Sequence, residues 1–289
     1  MTGWTGPRHT RLLIGAFLLH ALACLSGCSP PAGPHPAAIA SAHPLATQAG
    51  IGILEAGGNA FDAAVAVSAV LAVVEPYGSG IGGGGFWLLH RAHDGLEVMV
   101  DGRERAPLAA TRDMYLDEAG NVVPGLSVDG ALAAGIPGEP AALAHIANRY
   151  GRLPLAKSLA PANRLARSGF TVDAHYRRMA GFRLAALQAD PSAAGIVRDA
   201  GDVPAEGARI VQADLADTLD AIAQRGHSGF YDGAVARSLV EGVSAAGGIW
   251  SLQDLKASRV VEREPVKGQY HGYTITSAAP PSSGGIALL

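Results

Sequence analysis

Apolar positions in the first part of the chain cluster in one block, residues 12–25, interrupted by little except His20 and preceded by Arg8 and Arg11. About fourteen residues falls short of the roughly twenty that a membrane-crossing helix needs, and it matches the apolar region of an export signal. Beyond it a helical period takes over. Apolar residues at helical spacing, with Pro44 at the first turn, predict a helix over 44–56, and Gly57 stands as its C-terminal cap. Asn59 is placed to cap the next helix, 60–74, which is apolar on every side and so predicted to lie buried in a layered domain; Pro76 ends it. Two apolar stretches, 86–90 and 96–100, read as a hairpin turning at His93-Asp94-Gly95. Helical spacing returns at 140–149, 155–168, 214–224 and 233–246, and a second strand pair is expected at 260–266 and 273–277. Buried helices set against hairpin strands predict an α+β fold.

The glycine run after Pro76 formally contains Gly80-x-Gly82-x-x-Gly85, the spacing of a dinucleotide-binding turn. That turn needs a strand before it and a helix after it; here the order is reversed, and the nucleotide reading is set aside. Such a run instead marks a backbone that turns tightly or lies against something that leaves no room for a Cβ. Asp101-Gly102-Arg103-Glu104-Arg105 follows directly on the second predicted strand. Its ordinary reading is a solvated loop on a domain rim. Its functional reading is one guanidinium pointing into a cleft as a planar fork for a carboxylate. Gly226-His227-Ser228-Gly229 lacks the second glycine of a serine-hydrolase elbow and reads as a loop. Glu262 and Glu264 around Arg263 read as an exposed strand edge, and Pro280-Pro281-Ser282-Ser283-Gly284-Gly285 reads as a connecting turn.

Composition narrows the classes. A net charge of −3 with 16% charged residues gives no basic footprint for nucleic acid. The ten histidines are scattered, with no pair at metal-ligand spacing. Leu25-Ser26-Gly27-Cys28 resembles a lipobox, which implies cleavage before Cys28 and a diacylglycerol on its thiol. An ordinary secretory signal with Cys28 incidental, or an uncleaved signal anchor, are the alternatives. Since Cys24 falls inside the signal, Cys28 would be left without a partner for a disulfide or a Cys-based metal site. The Pro-rich stretch that follows reads as a tether. The expected organisation is a lipoprotein signal at 1–27, a tether at 28–40 and one globular region at 41–289. The expected location is the periplasm or cell envelope, anchored through Cys28.

The segments 43–48 and Gly57-Gly58-Asn59-Ala60-Phe61-Asp62-Ala63-Ala64 resemble the opening helices of γ-glutamyltranspeptidases. So do Gly82 to Gly85 with Phe86, and Asp101-Gly102-Arg103-Glu104 with Ala106-Pro107. Gly135-Ile136-Pro137-Gly138, Tyr150-Gly151-Arg152-Leu153-Pro154, Gly169-Phe170 and Phe230-Tyr231-Asp232-Gly233 follow in the family's order. Gly247-Gly248 with Asp254-Leu255, then Arg263, Pro265 and the turn at 280–285, complete the resemblance. Ala279 stands where a third proline is common. The resemblance implies an N-terminal-nucleophile hydrolase fold, a four-layer αββα arrangement incomplete in this chain. It further implies a precursor that cleaves itself ahead of a threonine, which then attacks the γ-glutamyl amide of glutathione or a related donor. Water, an amino acid or a dipeptide accepts the acyl group, with no metal or organic cofactor. In the family that threonine lies in a small subunit cut from the same precursor, well past the 280–285 turn. The 289 residues are therefore expected to hold no catalytic residue and to be inactive alone. Arg103 maps onto the residue that binds the donor's α-carboxylate. Two other readings stand beside this one: a glutaryl or cephalosporin acylase of the same fold, and a non-catalytic truncated lipoprotein. Without strands from the second subunit, the apolar helix at 60–74 is expected to be the worst-exposed element.

Overall fold

The computed structural model describes residues 37–190, 193–195 and 202–289. The expected export signal, Cys28 and the expected tether up to residue 36 lie outside the described residues. Residues Ala40–Leu289 form one unit by themselves. Among the described residues no helix is long and apolar enough to cross a membrane.

Helix α1, Pro44–Glu55, starts where the His43 ring accepts from the Leu45 N–H at 3.1 Å. It stops at Ala56, and Gly57 continues with φ +89, a conformation that a side chain would strain. Helix α2, Ala60–Val74, begins in a capping box: Asn59 accepts from Phe61 and Asp62, and the Asp62 carboxylate accepts the Asn59 N–H at 2.9 Å. Asp62 is fully buried and also takes the Arg152 and Leu153 N–H groups at 2.9 and 3.3 Å. One carboxylate thus fastens the start of α2 to a turn some ninety residues on.

The all-apolar helix is covered rather than exposed. Val65, Ala66, Ala69, Val70, Val73 and Val74 are each fully buried. They pack beneath α1 on one side and α4, Leu155–Ser168, on another, with α3, Glu139–Tyr150, alongside. Alanines at Ala66 and Ala69 let those neighbours approach, while each valine contributes about 1.5–3 kcal/mol by leaving water. Helices of this chain therefore form α2's burial environment by themselves, contrary to the sequence expectation.

Strands β1, Gly85–Arg91, and β2, Leu96–Gly102, form the expected antiparallel hairpin, with Leu88 opposite Met99. Beyond α4 come β3, Phe170–Thr171, then helices α5, Ala174–Phe182, and α6, Leu184–Ala189, then β4, Arg209–Ile210, which pairs with β3. Helices α7, Ala213–Arg225, α8, His227–Tyr231, α9, Gly233–Ala245, and α10, Leu252–Ala257, follow. The chain continues through β5, Val261–Arg263, β6, Val266–Tyr270, β7, Tyr273–Ser277, and α11, Gly284–Leu288. The described fold is α+β, with its main sheet in the order β1-β2-β5.

Two sequence expectations change here. Of the stretch 260–266 only Val266 pairs with 273–277, as the first residue of β6, which is the hairpin partner of β7; the earlier part, β5, pairs antiparallel with β2. Pro265, which has no N–H to give a ladder, separates the two pairings. Arg263 fixes the β5 register by holding Asp101 Oδ2 with Nε and Nη2, both at 2.8 Å. The stretch from Gly226 is not a loop, since α8 starts at His227. A five-residue helix is too short to hold itself, and this one is secured by burial of Phe230 and Tyr231. Glu262 does lie on an edge strand, yet its carboxylate is tied to Tyr150, His145 and Arg149 on α3 at 2.5, 2.8 and 2.8 Å.

Candidate substrate-binding site

Arg103 is the first residue past β2, and its backbone is gripped from both sides. On one side is the glycine run. A Cβ on Gly84 would collide with the Gly102 carbonyl and stand 3.0 Å from Arg103 Cα. On the other side is the loop before α3, where a Cβ on Gly138 would meet the same carbonyl and lie 2.6 Å from Arg103 O. The two sides are joined: Gly83 O accepts from Gly138 N and Glu139 N at 2.9 and 3.0 Å. Two residues further, Arg105 and Ile136 exchange backbone hydrogen bonds at 3.1 and 2.7 Å. The glycine run is therefore a close-approach surface, as its lack of Cβ atoms suggested, and not a phosphate cradle.

The side chain is held more lightly. The Arg103 N–H donates to Asp101 Oδ1 at 3.1 Å, and Asp101 is itself pinned by Arg263. The guanidinium carbon sits 5.8 Å from the centre of the Phe86 ring, a cation–π arrangement. Arg103 Nε lies 3.1 Å from Glu104 Oε2, too poorly aligned for a hydrogen bond, so that this buried oxygen has no hydrogen-bond partner. The two terminal nitrogens of Arg103 make no hydrogen bond among the described residues, and the side chain is 55% exposed. A half-exposed guanidinium whose Nε edge faces a carboxylate and whose terminal nitrogens make no hydrogen bond is a ready fork for a planar anion.

Behind it lies a second carboxyl that the sequence did not single out. Glu139 opens α3 and is 8% exposed, and Ser68 of α2 donates to its Oε1. Burial raises the Glu139 carboxyl above its ordinary value; Ser68 opposes the rise and the nearby Glu104 charge adds to it. Arg105 turns elsewhere, donating to the Arg259 carbonyl at 3.1 Å.

Two clefts lie away from this loop. One of about 520 Å³ is lined by His145, Asn148, Arg149, His227 and Arg259, and one of about 580 Å³ runs between α1 and α4. Arg103 lines neither of them. Among the described residues no group of three or more His, Cys, Asp or Glu side chains could hold a metal ion.

Residues 46–289 match the family model described as gamma-glutamyltranspeptidase. The chain is 40% identical over 279 residues to a glutathione hydrolase proenzyme of Pseudomonas sp. (strain A14), covering 94% of this chain and 48% of that protein. It is also 40% identical over 253 residues to an acylase ACY 1 proenzyme of Pseudomonas sp. (strain V22), covering 85% of this chain and 45% of that one. The γ-glutamyltranspeptidase of Helicobacter pylori superposes with a TM-score of 0.86 at 42% identity, over 90% of this chain and 74% of that one. The chain spans under half the length of these two curated relatives.

Proposed function

Because the chain belongs to the γ-glutamyltranspeptidase family, we propose that it forms the donor-binding part of an enzyme that transfers or hydrolyses γ-glutamyl groups. Arg103 binds the donor's α-carboxylate. The observation that carries this reading is the half-exposed guanidinium of Arg103, set over the Phe86 ring with both terminal nitrogens free of hydrogen bonds. Glutathione and other γ-glutamyl amides are the donors; water, an amino acid or a dipeptide is the acceptor. The nucleophile is a threonine hydroxyl of a small subunit cut from the same precursor. It adds to the γ-carbonyl, the amine leaves with a proton, and the acceptor then takes the acyl group from the threonine oxygen. The resemblance in sequence and the proenzyme names of the relatives support this division of labour.

The acylase relative favours a second reading, a glutaryl or cephalosporin acylase, in which Arg103 would still meet a carboxylate. Competition between a γ-glutamyl anilide and a glutaryl anilide on the full-length, self-processed protein separates the two. The γ-glutamyl donor is expected to be consumed first. Preference for the glutaryl donor would replace the first reading by the second, and turnover of neither would leave a non-catalytic lipoprotein.

The same proposal places the protein in the periplasm or cell envelope, held by a lipid on Cys28 through a tether reaching to about residue 40. The motif Leu25-Ser26-Gly27-Cys28 supports this. Mass spectrometry of the exported protein is expected to find a diacylated Cys28 at the mature N-terminus; an unmodified terminus elsewhere would refute it.

A further inference from the structure

The aim of Arg103 depends on its backbone, since Phe86 and Glu104 touch only its side chain. That backbone is pressed by Gly138, whose place depends on how the 135–138 loop enters α3. Tyr231 stands at this entry. It is 2% exposed, and its hydroxyl donates to Pro137 O at 2.7 Å while accepting from Ala141 N at 3.2 Å. One hydroxyl thus ties the carbonyl just before Gly138 to the first turn of α3. Ser258 Oγ adds a longer bond of 3.4 Å to the same carbonyl. The phenol ring is fixed in turn by stacking of His227 at 4.3 Å, and His227 Nε2 lies 2.9 Å from Ser258 O. Burial raises the Tyr231 hydroxyl well above its ordinary value, so it remains a donor at any working pH.

We infer that Tyr231 is a positioning residue for donor binding: its hydroxyl sets the loop that sets Arg103. Nothing reacts at Tyr231, and it does not touch the donor. The inference rests on the reading of Arg103 as the carboxylate ligand. Phenylalanine keeps the ring and its stacking while leaving Pro137 O and Ala141 N without their shared partner.

In the full-length, self-processed protein, Tyr231→Phe is expected to raise the KM for a γ-glutamyl anilide roughly five- to twentyfold, with kcat within about twofold. In an Arg103→Ala background the same substitution should change kcat/KM by less than about twofold, because the group it positions is gone. Equal losses in both backgrounds, or no loss in either, would overturn the inference. An Arg103→Ala protein with unchanged kcat/KM would instead sink the donor-binding reading itself. Should Tyr231→Phe fail to fold, Ser258→Ala removes the weaker bond to the same carbonyl. It is expected to give a smaller KM rise that likewise vanishes without Arg103; a rise that persists there counts against the inference.

Discussion

Arg103→Ala is expected to lower kcat/KM for γ-glutamyl donors by roughly thirty- to several-hundredfold in the self-processed enzyme. Removing one partner of a hydrogen-bonded charge pair costs about 2–5 kcal/mol when both are buried, and the half-exposed Arg103 belongs at the lower end of that range. Arg103→Lys keeps the charge and loses the fork, so it should recover only part of the loss. Arg105→Ala is the control. Its guanidinium is spent on the Arg259 carbonyl, away from the open nitrogens of Arg103, although its backbone belongs to the same loop. Equal losses from the two alanine variants would mean that the loop, and not carboxylate recognition, had been disturbed. Near-normal kinetics for Arg103→Ala would remove the binding assignment.

Asp62→Ala should be the most damaging single change to the fold away from that loop. Three backbone N–H groups, of Asn59, Arg152 and Leu153, converge on its buried carboxylate and would be left unpaired. At about 1–3 kcal/mol for each stranded group, with partial relaxation, a total loss of about 3–5 kcal/mol is expected. Thermal unfolding of the full-length protein should show it as a fall of roughly 10 °C in Tm. Asp62→Asn keeps one accepting oxygen but turns an amide NH2 toward backbone donors, so its Tm should lie between the two. A fall of less than about 2 °C for the alanine variant would show that the carboxylate is not a structural junction.

The long helices are legible in the sequence because their signals are local. Pro44 at a first turn, Asn59 with Asp62 three residues on, and a run of alanine and valine need no distant partner to be read. The burial of α2 is half legible: composition says that it must be covered, and only the packing of α1, α3 and α4 says by what. Strand β5 is legible as a strand, but its partner is not. Three residues carry no period, and the acid that fixes their register lies 162 positions earlier. At the site, the resemblance singles out Arg103 and the glycines announce a close approach. Glu139 and Tyr231 give no local sign, since a Glu-Pro or a Phe-Tyr pair acquires its role only from what α2 and the 135–138 loop bring beside it.

The contact of Gly84, Gly102 and Gly138 around one carbonyl has a consequence for how this protein can be altered. Gly102 is itself closed off, with any Cβ there 2.7 Å from that of Ala142. A library randomised at these three positions would return mostly clones that fail to accumulate, whatever their chemistry, because each variant must first displace main chain. Diversity placed at 86, whose ring faces the guanidinium, would sample ligand preference on an intact scaffold, whereas the Glu104 side chain lies close against Gly83 and Gly135 and shares the constraint of the loop. Directed evolution toward a new donor acid therefore has its useful freedom in the side chain at 86, and almost none in the backbone that carries the site.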